Sequence, residues 1–331
     1  MRAIQVSRYG GPEVLEVVDV PDPEAGSGQV TIDVAVADVL FVDSQIRSGS
    51  AGGWFEVALP YIPGNGVGGT VASVGAGVDP SWVGRRVVGR LNGTGQQPSG
   101  GYVERAVVDV EHLLAVPDGL SVAEAITVLH DGSTALLAFD RAAVKPGEWV
   151  LINAAGGSLG SQLVPMAKAA GARVIGAARG TRKLDAVRAW GADAAVDYTE
   201  PDWADQVLAI TEGHGVDVIF DGAGGVAGRT AYLLAASGAR MLAYGASSGA
   251  FVDVDPADAA ARGVEVVGIM DIGADEDPAE SRRSLERLLD NAAAGTVTLH
   301  VGQTFPLAEA AAAHAAIEAR ETVGKTLLTV D

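Results

Sequence analysis

Short bursts of alternating apolar and polar residues fill the chain up to about Pro117: Val30-Thr-Ile-Asp-Val-Ala-Val36, Gly69-Thr-Val-Ala-Ser-Val74 and Arg86-Val-Val-Gly89, punctuated by Pro and Gly. Such alternation predicts short strands joined by turns, hence a compact β-rich domain. From about Ser121 the texture changes. The apolar runs Trp149 to Ile152, Arg173 to Gly176, Ala194 to Val196, Val216 to Phe220, Ala239 to Tyr244 and Val264 to Gly268 are mostly separated by helical patterns, such as Leu159 to Ala170 and Thr181 to Trp190. That grammar predicts a doubly wound parallel sheet, with ligands at the carboxyl ends of its strands. A charged helix from Pro278 to Ala294, an Ala-rich helix from Leu307 to Arg320 and a final strand from Lys325 to Val330 lead back to the first domain. The expected class is α/β: a β-rich domain of residues 1–122 and 268–331, interrupted by a parallel-sheet domain of residues 123–267.

The first unit of that sheet carries the most informative stretch, Val150-Leu-Ile-Asn-Ala-Ala-Gly-Gly-Ser-Leu-Gly-Ser161. It reads as strand, tight turn, helix. Ala155, Gly157 and Gly160 stand at the three glycine positions of a dinucleotide-binding fingerprint, where backbone amides approach a pyrophosphate at a positive helix N-terminus. About twenty residues on, an NAD site usually offers Asp or Glu to the ribose hydroxyls. Here the chain gives Arg179-Gly-Thr-Arg-Lys183, with no carboxylate before Asp185. Arg179, Arg182 and Lys183 therefore favour the 2′-phosphate of NADPH; the alternative is a solvated basic helix start.

Composition narrows the classes further. With 331 residues and 48% hydrophobic content the chain is a globular protein able to bury two cores. A formal charge of -19 argues against nucleic acid and anionic membrane as partners, so any phosphate site is built locally. There is no cysteine, hence no thiolate metal ligand. No long uncharged apolar segment suggests a membrane span, and the N-terminus lacks the apolar core of a signal peptide, so a cytoplasmic location is expected.

Taken in order, Tyr9-Gly-Gly-Pro-Glu-Val-Leu15, Ile62-Pro-Gly64, Val78-Asp79 with Val83-Gly-Arg-Arg-Val87, Val116-Pro-Asp-Gly-Leu-Ser121, Lys145-Pro-Gly-Glu-Trp-Val150, Ala172-Arg-Val-Ile175, Gly191-Ala-Asp193 and Gly324-Lys325 resemble the landmarks of one family. It is the zinc-independent medium-chain dehydrogenase/reductases of the quinone oxidoreductase type, and the likeness spans essentially the whole chain. The resemblance implies a GroES-like catalytic domain with an inserted Rossmann domain, NADPH as cofactor, a homodimer, and an apolar carbonyl compound or quinone as substrate. It places Gly157, Ser158, Leu159 and Gly160 at the pyrophosphate, and Lys183 and Tyr198 around the adenosine phosphate. The loop Tyr244, Gly245, Ala246, Ser247 and Ser248 would face the nicotinamide, and Thr134 would stand at the entry to the nucleotide domain. Tyr198 also reads as a packed aromatic.

No metal is expected. Related alcohol dehydrogenases carry Cys and a His-Glu pair near the Pro-Gly turn, but this chain reads Pro63-Gly-Asn-Gly-Val-Gly-Gly69, and none of its five histidines has ligand spacing with another. Hydride addition to an activated C=C bond then needs hydrogen bonds to polarise the acceptor.

Departures from the family pattern bear on the catalytic side. In Val39-Leu-Phe-Val-Asp43, Leu40 replaces an Asn that commonly faces nicotinamide and substrate. Asp43 matches the acidic position that follows, as a catalytic candidate or a fold-stabilising acceptor. Ser158 replaces a usual glycine. The Tyr proton donor of related enoyl reductases has no counterpart in Arg47 to Trp54, which leaves a Ser, a water or Tyr61 for the role. Trp54 and Phe55 suggest an apolar lid beside the cleft, or an anchoring aromatic on the domain surface. In His130-Asp131-Gly132 an imidazole adjoins a carboxylate: an acid/base or substrate-binding pair, or a satisfied structural histidine. The expected activity is metal-independent, NADPH-dependent reduction of a quinone or α,β-unsaturated ketone. Leu40 also admits a biosynthetic enzyme acting without net redox chemistry on a bulky apolar intermediate, or a nucleotide-binding protein without turnover.

Overall fold

The computed structural model describes residues 1–51, 57–91, 100–274 and 277–330; Trp54 and Phe55 lie outside them. In chain order the strands are β1 (Arg2–Val6), β2 (Leu15–Asp19), β3 (Gln29–Val39), β4 (Gly66–Val74), β5 (Arg86–Arg90), β6 (Arg105–Asp109), β7 (Leu113–Ala115), β8 (Trp149–Asn153), β9 (Arg173–Ala178), β10 (Ala194–Asp197), β11 (Val216–Asp221), β12 (Ala235–Ala243), β13 (Glu265–Gly268), β14 (Val301–Pro306) and β15 (Lys325–Thr329). The helices that matter for the site are α1 (Phe41–Ser48), α2 (Val122–Ala125), α3 (Asp131–Ala142), α4 (Ser158–Ala169) and α5 (Thr181–Ala189).

Two compact units emerge, one of residues 1–130 and 283–331 and one of residues 131–282. Both divisions fall later than the expected 122/123 and 267/268. Helix α2 accounts for the first shift, because it packs on β3, β4 and β5 of the β-rich unit. The short Ile269–Ile272 helix accounts for the second, since it packs on β12, β13 and α3, with Ile272 in the core of the parallel-sheet unit.

In the β-rich unit the sheet runs β14-β15-β3-β4-β5-β7, with β6 also paired to β3, and β1 and β2 form a separate hairpin. Strand β3 is long and mostly buried, so it carries the unit's centre: Val30, Ile32, Val34, Ala37 and Val39 join one apolar cluster with Val67, Val87 and Leu328. The C-terminal strand β15 lies antiparallel to β3, pairing Thr326 with Val39 and Thr329 with Val36.

The other unit is a six-stranded sheet in the order β10-β9-β8-β11-β12-β13, with every pairing parallel. Parallel strands are covered on both faces, which is why they read as unbroken apolar runs. Val150 and Ile152 of β8 point into one core with Leu163 and Val164 of α4, while Trp149 and Leu151 point into a second core with Val207 and Tyr232. The strand order reverses between β8 and β11, and crevices at the carboxyl ends of such strands bind ligands.

Candidate functional site

The fingerprint turn follows β8 directly. Ala154 takes a left-handed conformation (φ 56°), the Gly157 amide donates to the Ala154 carbonyl at 3.0 Å, and Gly157 caps the N-terminus of α4. Gly160 lies so close under this turn that a Cβ there would stand 2.1 Å from the Ala155 carbonyl oxygen. At the start of α4 the Ser158 hydroxyl oxygen is buried and has no hydrogen-bond partner among the described residues. An unsatisfied hydroxyl beside free helix N-terminal amides is a donor set suited to a phosphate oxygen.

The basic segment sits at the end of the next strand. Arg179 and Arg182 are exposed, and the Lys183 stem passes against the turn, so that a Cβ at Gly156 would lie 2.7 Å from the Lys183 Cβ. One feature escaped the sequence reading: Asp197, at the end of β10, accepts the Gly180 amide at 2.7 Å and the Thr199 amide and hydroxyl at 2.9 and 2.6 Å. Burial opposes its charge, but those bonds together with Arg179 hold the carboxyl below its ordinary value. A carboxylate thus does adjoin the basic segment, engaged by Gly180 and Thr199. Tyr198 is half-buried, packs against the core, and lines a cavity with Trp203, Val226, Thr230 and Ser248.

On the other side of the switch point, Asp221 ends β11. Its carboxylate accepts the Asn153 side-chain amide and the Ala223 and Gly224 amides, each at 3.1 Å. Burial raises its pKa against these bonds. The Tyr244-to-Ser248 loop is laced to the same turn, with the Tyr244 and Gly245 amides on the Asp221 carbonyl and the Ser248 amide on the Ala223 carbonyl. Burial and the charges of Asp221 and Asp131 keep the Tyr244 phenol protonated. Thr134 lies in the first turn of α3, three residues after Asp131.

The catalytic candidates of the β-rich unit form a buried polar group. Leu40 precedes α1, and its amide donates to Asp43 Oδ2 at 2.9 Å. The Tyr102 hydroxyl donates to the same oxygen at 3.2 Å, and His314 Nε2 lies 3.0 Å from that hydroxyl. Burial pushes the Asp43 carboxyl up to about 6, against the Leu40 bond and with help from the Asp38 charge. Burial, with the Arg47 charge, brings His314 down to about 3, so its ring is neutral. Tyr61 is buried, its hydroxyl lacks a partner among the described residues, and burial with the Asp43 charge pushes its pKa up.

Of the two readings of His130, an acid/base pair with Asp131 or a satisfied histidine, the structure supplies a partner for the second. His130 Nδ1 lies 2.9 Å from Asp38 Oδ2, while Asp131 opens α3 and acts on Tyr244. Adjacent residues at a helix start point their side chains apart. Lys325 Nζ reaches the same Asp38 oxygen at 3.2 Å. Burial disfavours the Asp38 charge, yet Lys325 and His130 together hold the carboxyl well below the usual range. No spacing along the chain signals this trio; only an Asp inside an apolar strand and a Lys opening another could have drawn attention.

A β-rich unit interrupted in sequence by a six-stranded parallel sheet, with a small-residue turn at the switch point, is the architecture of medium-chain dehydrogenases. Residues 26–118 match the family described as alcohol dehydrogenase GroES-like domain, and residues 190–328 match zinc-binding dehydrogenase. A quinone oxidoreductase from Pseudomonas aeruginosa is 31% identical over 329 residues, covering 99% of both chains. A 2-haloacrylate reductase from a Burkholderia species is 32% identical, covering 98% of both. The solved Escherichia coli quinone oxidoreductase in complex with NADPH superposes with a TM-score of 0.89 at 27% identity, over 99% of this chain and 100% of that one. The chain belongs to the quinone oxidoreductase-like family of medium-chain dehydrogenase/reductases. Despite the wording of one matched family, no group of three His, Cys, Asp or Glu suited to a metal occurs among the described residues. Nor is any described helix long and apolar enough to cross a membrane.

Proposed function

We propose that the protein is an NADPH-dependent reductase of α,β-unsaturated ketones or quinones that works without a metal. The observation that carries the reading is the buried, unsatisfied Ser158 hydroxyl at the start of α4, with Arg179, Arg182 and Lys183 at the end of the neighbouring strand. The activities of the quinone oxidoreductase and 2-haloacrylate reductase relatives, and NADPH in the E. coli structure, agree with it. NADPH, when bound, supplies the hydride.

The chain's own groups bind and orient. Ser158 and the first amides of α4 would hold the pyrophosphate, and the three cations would hold the 2′-phosphate. The Tyr244-to-Ser248 loop, fixed by backbone bonds to residues 221–223, would hold the nicotinamide side of the cofactor. Leu40 has no polar side-chain atom, so hydrogen bonds to the reacting carbonyl must come from another hydroxyl, a backbone amide or water.

The test is oxidation of NADPH and of NADH against a panel of quinones and enones, including a 2-haloacrylate. A lower KM for NADPH and turnover with at least one acceptor are expected. A preference for NADH would overturn the cofactor assignment, and cofactor binding without consumption would overturn the reaction.

A further inference from the structure

Parallel strands β9 and β10 end side by side, with Ala178 paired to Asp197, and the basic segment begins at the residue after Ala178. Its pivot is Gly180, whose backbone takes φ 79° and ψ 152°, a conformation that residues with a side chain rarely adopt. Arg179 precedes that pivot, while Arg182 and Lys183 follow it in the first turn of α5. No described atom lies within 4 Å of where a Cβ of Gly180 would stand, so packing does not impose the conformation. Hydrogen bonds at its two ends do. The Gly180 carbonyl accepts the Lys183 and Leu184 amides at 3.1 and 3.2 Å, bonds that belong to the start of α5. The Gly180 amide donates across to Asp197 Oδ2 at 2.7 Å, and so ties the turn to the neighbouring strand. Asp197 is itself locked, because its other oxygen accepts the Thr199 amide and hydroxyl.

We infer that Asp197 is a positioning residue for 2′-phosphate recognition: it holds the Arg179–Gly180 peptide so that Arg179 and the first turn of α5 serve one phosphate together. The inference rests on the placement of the 2′-phosphate at Arg179, Arg182 and Lys183 proposed above. Two simpler roles compete with it: acceptor of the ribose hydroxyls, as at an NAD site, and repulsion of the phosphate by charge. Against both, each carboxylate oxygen already accepts protein donors, and Arg179 offsets the charge. The brace is what those bonds build. Without it Gly180 regains the widest backbone freedom of any residue, and the cations must be ordered when the phosphate binds. A nucleotide without a 2′-phosphate makes no use of that ordering.

Adenosine 2′,5′-bisphosphate and 5′-AMP differ only in the 2′-phosphate and need neither nicotinamide nor an acceptor, so their calorimetric titration into the full chain isolates this contact. Wild type should bind the bisphosphate more tightly. Asp197→Ala should lose about tenfold in affinity for the bisphosphate, the equivalent of ordering one residue's backbone, and stay within about threefold for 5′-AMP. Asp197→Asn carries no charge but offers an oxygen to the Gly180 amide, and should recover the bisphosphate affinity to within about threefold of wild type. Gly180→Ala leaves the carboxylate in place and has room for its methyl group, but strains the pivot. It should show the same selective loss even if Asp197→Ala does not fold, which thermal melts of each variant check. An unchanged affinity ratio in the two alanine variants, a larger loss for 5′-AMP, a tighter bisphosphate complex in Asp197→Ala, or an Asn variant no better than Ala would each overturn the brace alone. A wild type that does not distinguish the two nucleotides would overturn the 2′-phosphate placement, and this inference with it; the reductase reading stands or falls separately, on acceptor turnover.

Discussion

The Asn153 side-chain amide donates to Asp221 Oδ1 at 3.1 Å, a bond between two wholly buried residues that ties the ends of β8 and β11 where the strand order reverses. The carboxylate also fixes the turn after β11 through the Ala223 and Gly224 amides. Asp221→Ala removes the acceptor for three buried donors and should lower stability by about 3 kcal/mol. Asp221→Asn keeps one acceptor oxygen and should lose roughly 1 kcal/mol. Urea unfolding of the two variants checks this; equal losses would mean that the bonds to the turn contribute nothing.

Asp43 makes stability depend on pH in a direction opposite to most carboxylates. Its folded value, about 6, lies above the ordinary 3.8, so its contribution is fully present below pH 3.8 and is lost as pH rises through about 6. The difference corresponds to about 3 kcal/mol. Asp43→Asn retains an acceptor for the Leu40 amide but cannot ionise. The stability of wild type minus that of the variant should therefore fall by about 2 kcal/mol between pH 4 and pH 7. A difference that stays flat over this window would show that burial does not govern the group.

The parallel sheet was legible because each strand, covered on both faces, is an unbroken apolar run, and all six runs named from the sequence became strands of one sheet. The fingerprint turn was legible for a related reason: only small residues tolerate that approach of α4 to β8. The polar partners were not. His130 and Asp38 are separated by 92 positions and Lys325 and Asp38 by 287, so no local period links them. Asp197 was not legible because it closes β10, a different strand from the one that leads into the basic segment. Asn153 and Asp221 did carry a signal, each being the polar last residue of an apolar strand, yet its meaning depended on the adjacency of β8 and β11.

Ser158→Ala separates binding from folding. The hydroxyl oxygen has no partner among the described residues, so its removal should leave the melting temperature within a degree or two. If it donates to a cofactor phosphate, NADPH affinity should fall by about tenfold, the equivalent of one charge-assisted bond. Calorimetric titration and thermal melts on the same preparation check both halves. An unchanged affinity would remove Ser158 from the cofactor site.

Gly160 and Gly157 should respond differently to the same added methyl group, although both are fingerprint positions. At Gly160 a Cβ would stand 2.1 Å from the Ala155 carbonyl oxygen and 2.5 Å from its carbon, both backbone atoms that cannot swing aside. At Gly157 the nearest atom, the Ala154 carbonyl oxygen, would be 3.3 Å away, and the backbone there is extended, with φ -87°. Gly160→Ala must push α4 away from the end of β8, with a loss of about 1–3 kcal/mol of stability, and must spread the amides proposed to hold the pyrophosphate. Gly157→Ala needs only a shift of a few tenths of an ångström and should keep its fold, with NADPH affinity reduced only as far as the methyl group crowds the phosphate. Thermal melts and NADPH titrations of the pair check the contrast. Equal tolerance of alanine at both positions would mean that the approach of α4 to the turn is not what the third small residue secures.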